Sequence, residues 1–389
     1  MTWKNGLHFL IPVLILSTSY LVSLFTDHDW TVSLDWYDSM HYGRIAEQGY
    51  LDPLDNAFFP GFPYVWKALG ANHWIALVNL FLWVNSLVVL QKRLELHRSV
   101  LILSILMPSA VFFGIPYSES LFFAACTFIA IGVNEDHRSL SLLGVFAASI
   151  IRPTAAILIP AIFIARWAGG DKGSRAFIRT FQEGLISLAA LFFVFYFQYR
   201  NGGEWLGFFS AQAAWGNDLS WPSLPFSTWG GDIIMLLDGA ALFIGLAALV
   251  TLARNWTSAQ LNQAHYFGLA GLAVTSFIIV ATRGGELFSL NRFVFATVFI
   301  PLALDAWKRL SFNRREIMIF AGTWLVFSLC IGSYLHLHAF LAAIMTGLLV
   351  FIAWWSMHCR NVRTAAWGIF GLIQLYFVVF FYLEGDWIG

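Results

Sequence analysis

The chain has 389 residues, 59% of them apolar, and 22 Lys and Arg against 22 Asp and Glu leave 11% charged with no net charge. Ordinary soluble domains carry roughly 25% charged residues, so a typical soluble enzyme is excluded, and the even spread of charge offers nucleic acid neither a basic arm nor an acidic tail. Three cysteines, Cys126, Cys330 and Cys359, are too few and too scattered for a disulfide framework or a CxxC metal site.

The first apolar run, 7–25, follows a short segment bearing Lys4, lacks a small-residue cleavage site and reads as an uncleaved signal anchor. Further runs lie near 74–90, 99–115, 117–133, 139–165, 181–199, 232–253, 264–281, 292–305, 316–335, 338–357 and 365–383. A helix needs about 18 to 20 apolar residues to cross a hydrocarbon core of about 30 Å. The expected fold class is therefore all-α, a polytopic transmembrane bundle of about eleven to thirteen segments. It forms one integral-membrane domain over 1–389, with no second soluble domain.

Lys and Arg set the orientation. Of the 22 basic residues, only Arg44, Lys67, Arg152, Arg200, Arg283 and Arg292 fall outside the loops and ends expected to face the cytoplasm. Loops 26–72, 200–231 and 282–291 then face outward. Strict alternation fails once, because the basic loops on both sides of 139–165 need the same face. Arg152-Pro153 sits mid-stretch, and proline removes a donor and disfavours helix in the residue before it. Two half-length helices forming a re-entrant hairpin are expected there.

The outer loop 26–72 holds Asp27, Asp29, Asp35, Asp38, Glu47, Asp52 and Asp55 against Arg44 and Lys67 alone. Asp38, His41, Tyr42 and Ile45 fall at i, i+3, i+4 and i+7, which predicts a short interfacial helix with these residues on one face. Trp36, Tyr37, Tyr42 and Tyr50 suit the headgroup zone. A carboxylate, an imidazole and phenols together at a membrane boundary are what a base acting on a hydroxyl needs. Elsewhere, Arg152 lies within an apolar stretch, where a cation faces protein or a water-filled cavity. Glu119 opens an apolar run, as a site carboxylate, a partner for Arg152 or a helix N-terminal charge. Arg292 opens another at the outer boundary. Gln212 and Trp215, in a Trp-rich loop, are candidate sugar contacts or part of an aromatic belt. His336-x-His338 lacks carboxylate partners for a metal, Asn255-Trp256-Thr257 is a sequon on the cytoplasmic side, and Gly169–Gly173 lacks P-loop spacing.

The block Asp38-x-x-His41-Tyr42-x-x-Ile45-Ala46-x-x-Gly49-Tyr50, followed by Ala57-Phe58-Phe59-Pro60-x-x-Pro63, resembles the first outer loop of the PIG-V-like mannosyltransferases, members of the GT-C class of integral-membrane glycosyltransferases. The likeness continues through Pro116-Tyr117-Ser118-Glu119-Ser120, Arg152-Pro153-Thr154, Ala211-Gln212-x-x-Trp215 and Ser289-Leu290-x-Arg292-Phe293. The family's block usually begins Trp-Asp. Here Tyr37 precedes Asp38 and Trp36 lies one residue earlier, so Asp35 stands as a rival carboxylate.

The resemblance implies a GT-C-like fold and transfer of a hexose, mannose first, from a polyprenyl-phosphate-linked donor. The acceptor would be a hydroxyl of a glycolipid, glycan or protein at the outer or luminal face. It implies Asp38 as general base in a catalytic outer loop 26–72, with His41 and Tyr42 orienting it or the sugar. The donor phosphate falls to Arg292 and Arg152, with Glu119, Gln212, Trp215 and Asp35 as further substrate-binding candidates. No cofactor is demanded, and the acid cluster leaves room for a weakly bound divalent cation. Chain length favours a prokaryotic plasma-membrane relative over a eukaryotic enzyme of the endoplasmic reticulum membrane. The competing expectations are a transporter or lipid-linked-sugar flippase without transferase activity, and a noncatalytic subunit of another transferase.

Overall fold

A computed structural model describes residues 36–70, 72–105, 107–217, 220–223, 232–313, 315–316, 318–319 and 322–323. The expected signal anchor 7–25, the segments 338–357 and 365–383, most of 316–335, the His336-x-His338 pair and Asp35 lie outside them. Among the described residues all regular structure is helical, and four helices are long and apolar enough to span a membrane. The chain is an all-α, polytopic integral membrane protein.

The outer loop forms α1 (Asp38–Gln48), a 3-10 turn (Pro53–Ala57) and α2 (Gly61–Leu69). Pro60 caps α2 and Pro63 sits in its first turn, where proline costs no hydrogen bond. There follow α3 (Asn72–Leu94), α4 (Arg98–Ile105), a 3-10 turn (Pro108–Phe113) and α5 (Glu119–Asn134), then α6 (Arg138–Ile151), a 3-10 turn (Pro153–Ile157) and α7 (Leu158–Ala168). The remainder is α8 (Gly173–Gly202), α9 (Gly207–Ala214), α10 (Asp232–Arg254), α11 (Gln263–Thr282), α12 (Leu290–Phe295) and α13 (Phe299–Arg309).

Three expected spans are broken, each at a proline. Pro108 ends α4 early, so 99–115 is a short helix followed by a tight turn. The run 292–305 divides into α12 and α13, because Pro301 fits only in the first turn of a restarted helix. Arg152 is extended, with φ −145° and ψ 142°, and separates α6 from α7. At about 1.5 Å per residue these two helices are roughly 21 and 16 Å long, short of a hydrocarbon core. The start of α6 and the end of α7 meet on one acid. Ser141, near the start of α6, donates to Glu183 of α8, and Arg166, near the end of α7, grips the same carboxylate through two bonds of 2.6 and 2.7 Å. The chain therefore enters and leaves this pair at the same end of the bundle, the hairpin geometry anticipated from Arg152-Pro153.

Polar contacts gather at the two ends of the bundle. At one, Arg93 pairs with Glu135, Asp136 with Arg175 at 2.9 Å and with Arg179, Arg254 with Glu316 at 2.5 Å, and the His97 amide donates to Asp305 at 2.9 Å. This is the end expected to face the cytoplasm. At the other, Asn79 of α3 donates to the carbonyls of Ile115 and Tyr117, Gln198 donates to the carbonyl of Asn56, and the Ser220 amide donates to the carbonyl of Ala281. An aromatic rim of Tyr199 stacked on Trp205 at 4.8 Å and Trp221, 95% exposed, suits a headgroup zone.

Two glycines allow close approaches to neighbouring backbone. A Cβ on Gly144 would lie 2.7 Å from the Ala125 carbonyl oxygen and 2.9 Å from the Ile129 nitrogen, and one on Gly61 would lie 2.7 Å from the Ile150 carbonyl oxygen. Small residues let membrane helices pack backbone to backbone. Gly144→Val is expected to separate α5 from α6 at a cost of about 1–3 kcal/mol, read as a lowered unfolding midpoint of the full chain in detergent. Ser139→Cys and Lys172→Cys, both at exposed positions, are expected to react with an impermeant thiol reagent from the same face of sealed vesicles; labelling from opposite faces would refute the hairpin.

Candidate functional site

The sequence from Tyr37 to Gln48 folds as α1 with Ser39, Tyr42, Ile45 and Ala46 buried. Asp38 and His41 flank this buried stripe. Tyr42 points inward, where its hydroxyl shares a 2.8 Å hydrogen bond with Ser118 and its ring meets Phe58 and Phe62 edge-on. Burial pushes the Tyr42 phenol well up, so it stays protonated. Tyr42 thus docks α1 onto the turn that precedes α5.

That docking brings Asp38 to Arg292. Asp38 Oδ2 lies 2.5 Å from Arg292 Nη1, Arg292 Nε donates to Glu119 Oε1, and the same Glu119 oxygen accepts from Arg152 Nη1 at 2.5 Å. Four residues separated by as many as 254 positions in sequence form one alternating chain, Asp38–Arg292–Glu119–Arg152. Glu119 is 1% exposed, and its Oε2 has no hydrogen-bond partner. Arg292 also lies over the rings of Tyr117 and Phe112, 4.6 and 5.1 Å from their centres, and Arg152 over Phe293 and Phe122 at 5.3 and 5.8 Å. Aromatic faces favour a cation and supply no competing anion.

Arg292 is held from behind. Asp238 of α10 accepts from both the amide and the side chain of Asn291 at 2.8 Å, and Ser109 donates to Asn291 Oδ1 at 2.9 Å. Nothing in the local sequence marked Asp238 or Asn291 as part of this arrangement. Arg283 points elsewhere, its guanidinium 4.4 Å from the Phe288 ring centre and bonded to the Phe288 carbonyl. Burial lowers its pKa to about 10, which leaves it charged at neutral pH.

Between Arg152 and Arg292 opens a small cleft with about 20 Å³ of free volume, lined also by Thr154, Thr275, Thr297 and the rings of Phe122, Phe293 and Phe299. Thr275 is 2% exposed and its hydroxyl has no partner. In chemistry, two cations, three hydroxyls and an apolar wall match an anionic headgroup with a hydrocarbon attached, which would enter by displacing side chains from this small space.

His41 belongs to a neighbouring group. Its Nδ1 lies 2.7 Å from Asp55 Oδ1 and 3.0 Å from Arg44 Nη2. Arg44 donates to both Asp55 oxygens at 2.7 and 2.5 Å and lies 3.0 Å from Asp52. The His41 ring stacks on Phe58 at 4.7 Å and meets Trp215 edge-on at 5.6 Å. Trp215 therefore reaches the α1 surface, whereas Gln212 accepts from Asn217 within its own segment. Among the described residues no group of three or more His, Cys, Asp and Glu side chains is arranged to hold a metal.

Burial raises the Asp55 pKa, but hydrogen bonds from His41 and Arg44 outweigh it and hold the carboxyl below its ordinary value of 3.8. The ion-pair contribution to stability is present above that value and is lost as pH falls through the lower folded-state pKa. Asp55→Asn is expected to lower the unfolding midpoint at neutral pH, with the gap to wild type closing below pH 3.8, as thermal scans across pH would show.

Comparison of the chain with models of protein families, with curated proteins and with solved structures gives no match.

Proposed function

We propose that this chain is a membrane glycosyltransferase that moves a hexose, mannose by the resemblance of its outer-loop motif, from a polyprenyl-phosphate donor to an acceptor hydroxyl at the outer face, with inversion. The observation that carries this reading is the cleft between Arg152 and Arg292 with Asp38 on the same guanidinium. The cleft offers cations for a phosphate and apolar rings for the lipid beyond it, and Asp38 offers a carboxylate beside the bond to be broken.

In the proposed step Asp38 takes the proton of the acceptor hydroxyl while that oxygen bonds to the anomeric carbon. The bond from that carbon to the phosphate oxygen breaks, and the phosphate leaves with the electron pair. A single displacement from the opposite face inverts the centre. Negative charge grows on the departing phosphate, and Arg152 and Arg292 are placed to receive it in a site of low dielectric. His41, set by Asp55, and Tyr42, set by Ser118, hold α1 and hence Asp38 in position. Trp215, beside His41, would stack on a sugar face. As written, the step requires no metal.

The helix break at Arg152 favours a second reading, because interrupted helices with a buried charge also serve transporters and flippases. Purified full-length protein in lipid discs, given polyprenyl-phosphate-mannose and a set of acceptor glycolipids, separates the two. Transfer is expected, with Asp38→Asn lowering it by about 10²–10⁴-fold. Full transfer by Asp38→Asn with loss in Asp35→Asn would move the base to Asp35. Donor movement across sealed vesicles without any transfer would favour the flippase.

A further inference from the structure

Arg292 has two carboxylates on it, Asp38 on Nη1 and Glu119 on Nε. They are not equivalent. Glu119 is enclosed, 1% exposed, and also bound to Arg152. Asp38 keeps 18% of its side chain exposed and stands in the first turn of α1, where unpaired backbone amides and the helix dipole favour a carboxylate turned toward them. Of the two, Asp38 is the acid that a rotation about its side-chain bonds can release.

The charge count gives that release a reason. Asp38, Arg292, Glu119 and Arg152 balance as two anions and two cations. A phosphate placed between the arginines adds negative charge in a water-poor cleft, and an unpaired buried charge costs several kcal/mol. Moving Asp38 to the wetter edge restores balance around the arginines. We infer that a lipid phosphate entering the cleft takes the place of Asp38 on Arg292 and so frees the Asp38 carboxylate. This inference rests on the proposed role of the cleft as a phosphate site. Its consequence is order: the Asp38 carboxylate faces a guanidinium, and not an acceptor hydroxyl, until the donor is seated. The carboxylate then turns toward the acceptor, and a proton is drawn from a hydroxyl only when a sugar is in place to receive the oxygen.

Exchange makes a prediction opposite in sign to that of a structural role. If Asp38 only braced Arg292, removing its charge would loosen the guanidinium and weaken phosphate binding. If Asp38 competes with phosphate, removing its charge tightens binding. The probe is a short-chain polyprenyl phosphate without sugar, with the matching polyprenol as the phosphate-free control, bound to full-length protein in lipid discs. Asp38→Asn is expected to bind the phosphate about tenfold more tightly than wild type, and Arg292→Gln about tenfold more weakly, each tenfold step being about 1.4 kcal/mol. In the double variant the gain from Asp38→Asn is expected to vanish, because there is no guanidinium left to compete for.

Unchanged or weaker binding by Asp38→Asn would overturn the exchange while leaving the phosphate site intact. A gain that persists without Arg292 would also overturn it, by showing repulsion at a distance in place of competition. Equal binding of polyprenyl phosphate and polyprenol by wild type would instead remove the phosphate site itself, and the proposed function with it. Asp38→Ser and Arg292→Lys stand in where a first variant fails to fold, with the same signs expected.

Discussion

A single buried carboxylate organises one end of this protein. Glu119 accepts from Arg292 and Arg152 through one oxygen, and through Arg292 it reaches Asp38 on the peripheral helix α1. Taking each of these ions out of water costs several kcal/mol, which only close pairing offsets. The four must therefore assemble together or leave a charge stranded. That requirement ties α1, the start of α5, the break after α6 and the short helix α12 to one point, although apolar packing alone would let them slide.

The surrounding structure serves that point. Asn79 holds the turn leading into Glu119 by its carbonyls, and Asp238 fixes Asn291 beside Arg292. Tyr37, immediately before Asp38, and Ser289, three residues before Arg292, both have positive φ, 54° and 63°. Such conformations cost a non-glycine residue about 1–3 kcal/mol and persist where neighbours over-determine them. Both ends of the Asp38–Arg292 pair thus sit on strained backbone, as befits a contact that aims side chains at a cleft.

Much of this was legible in the sequence. Asp38, Arg292, Arg152 and Glu119 stood out one by one because charge is scarce in an apolar chain, and scarce charge near or within a membrane must be paired. The Arg152-Pro153 break was legible for a steric reason. His41 was legible as a residue on the Asp38 side of α1, but its partner was not: Asp55 was one acid among many in its loop, and only the turn at Pro53–Ala57 brings it beneath the imidazole. Tyr42 was expected to orient Asp38 or the sugar, and its bond to Ser118 could not be read locally, because it depends on which surface the buried stripe of α1 packs against. Gln212 and Trp215 read alike in sequence and part company in the fold.

The sequence by itself determined that this is an all-helical membrane chain, which end carries the basic loops, where proline interrupts the spans and which few charges needed an explanation. Those features follow from composition and local sterics, and each is settled within a few residues. Only the tertiary structure decided who pairs with whom. Asp38 and Arg292 lie 254 positions apart, and nothing local chooses Glu119 as the shared partner of two arginines. Long-range pairing of buried charge depends on the whole packing arrangement, because the strength of each pair is set by how much water the assembled bundle excludes.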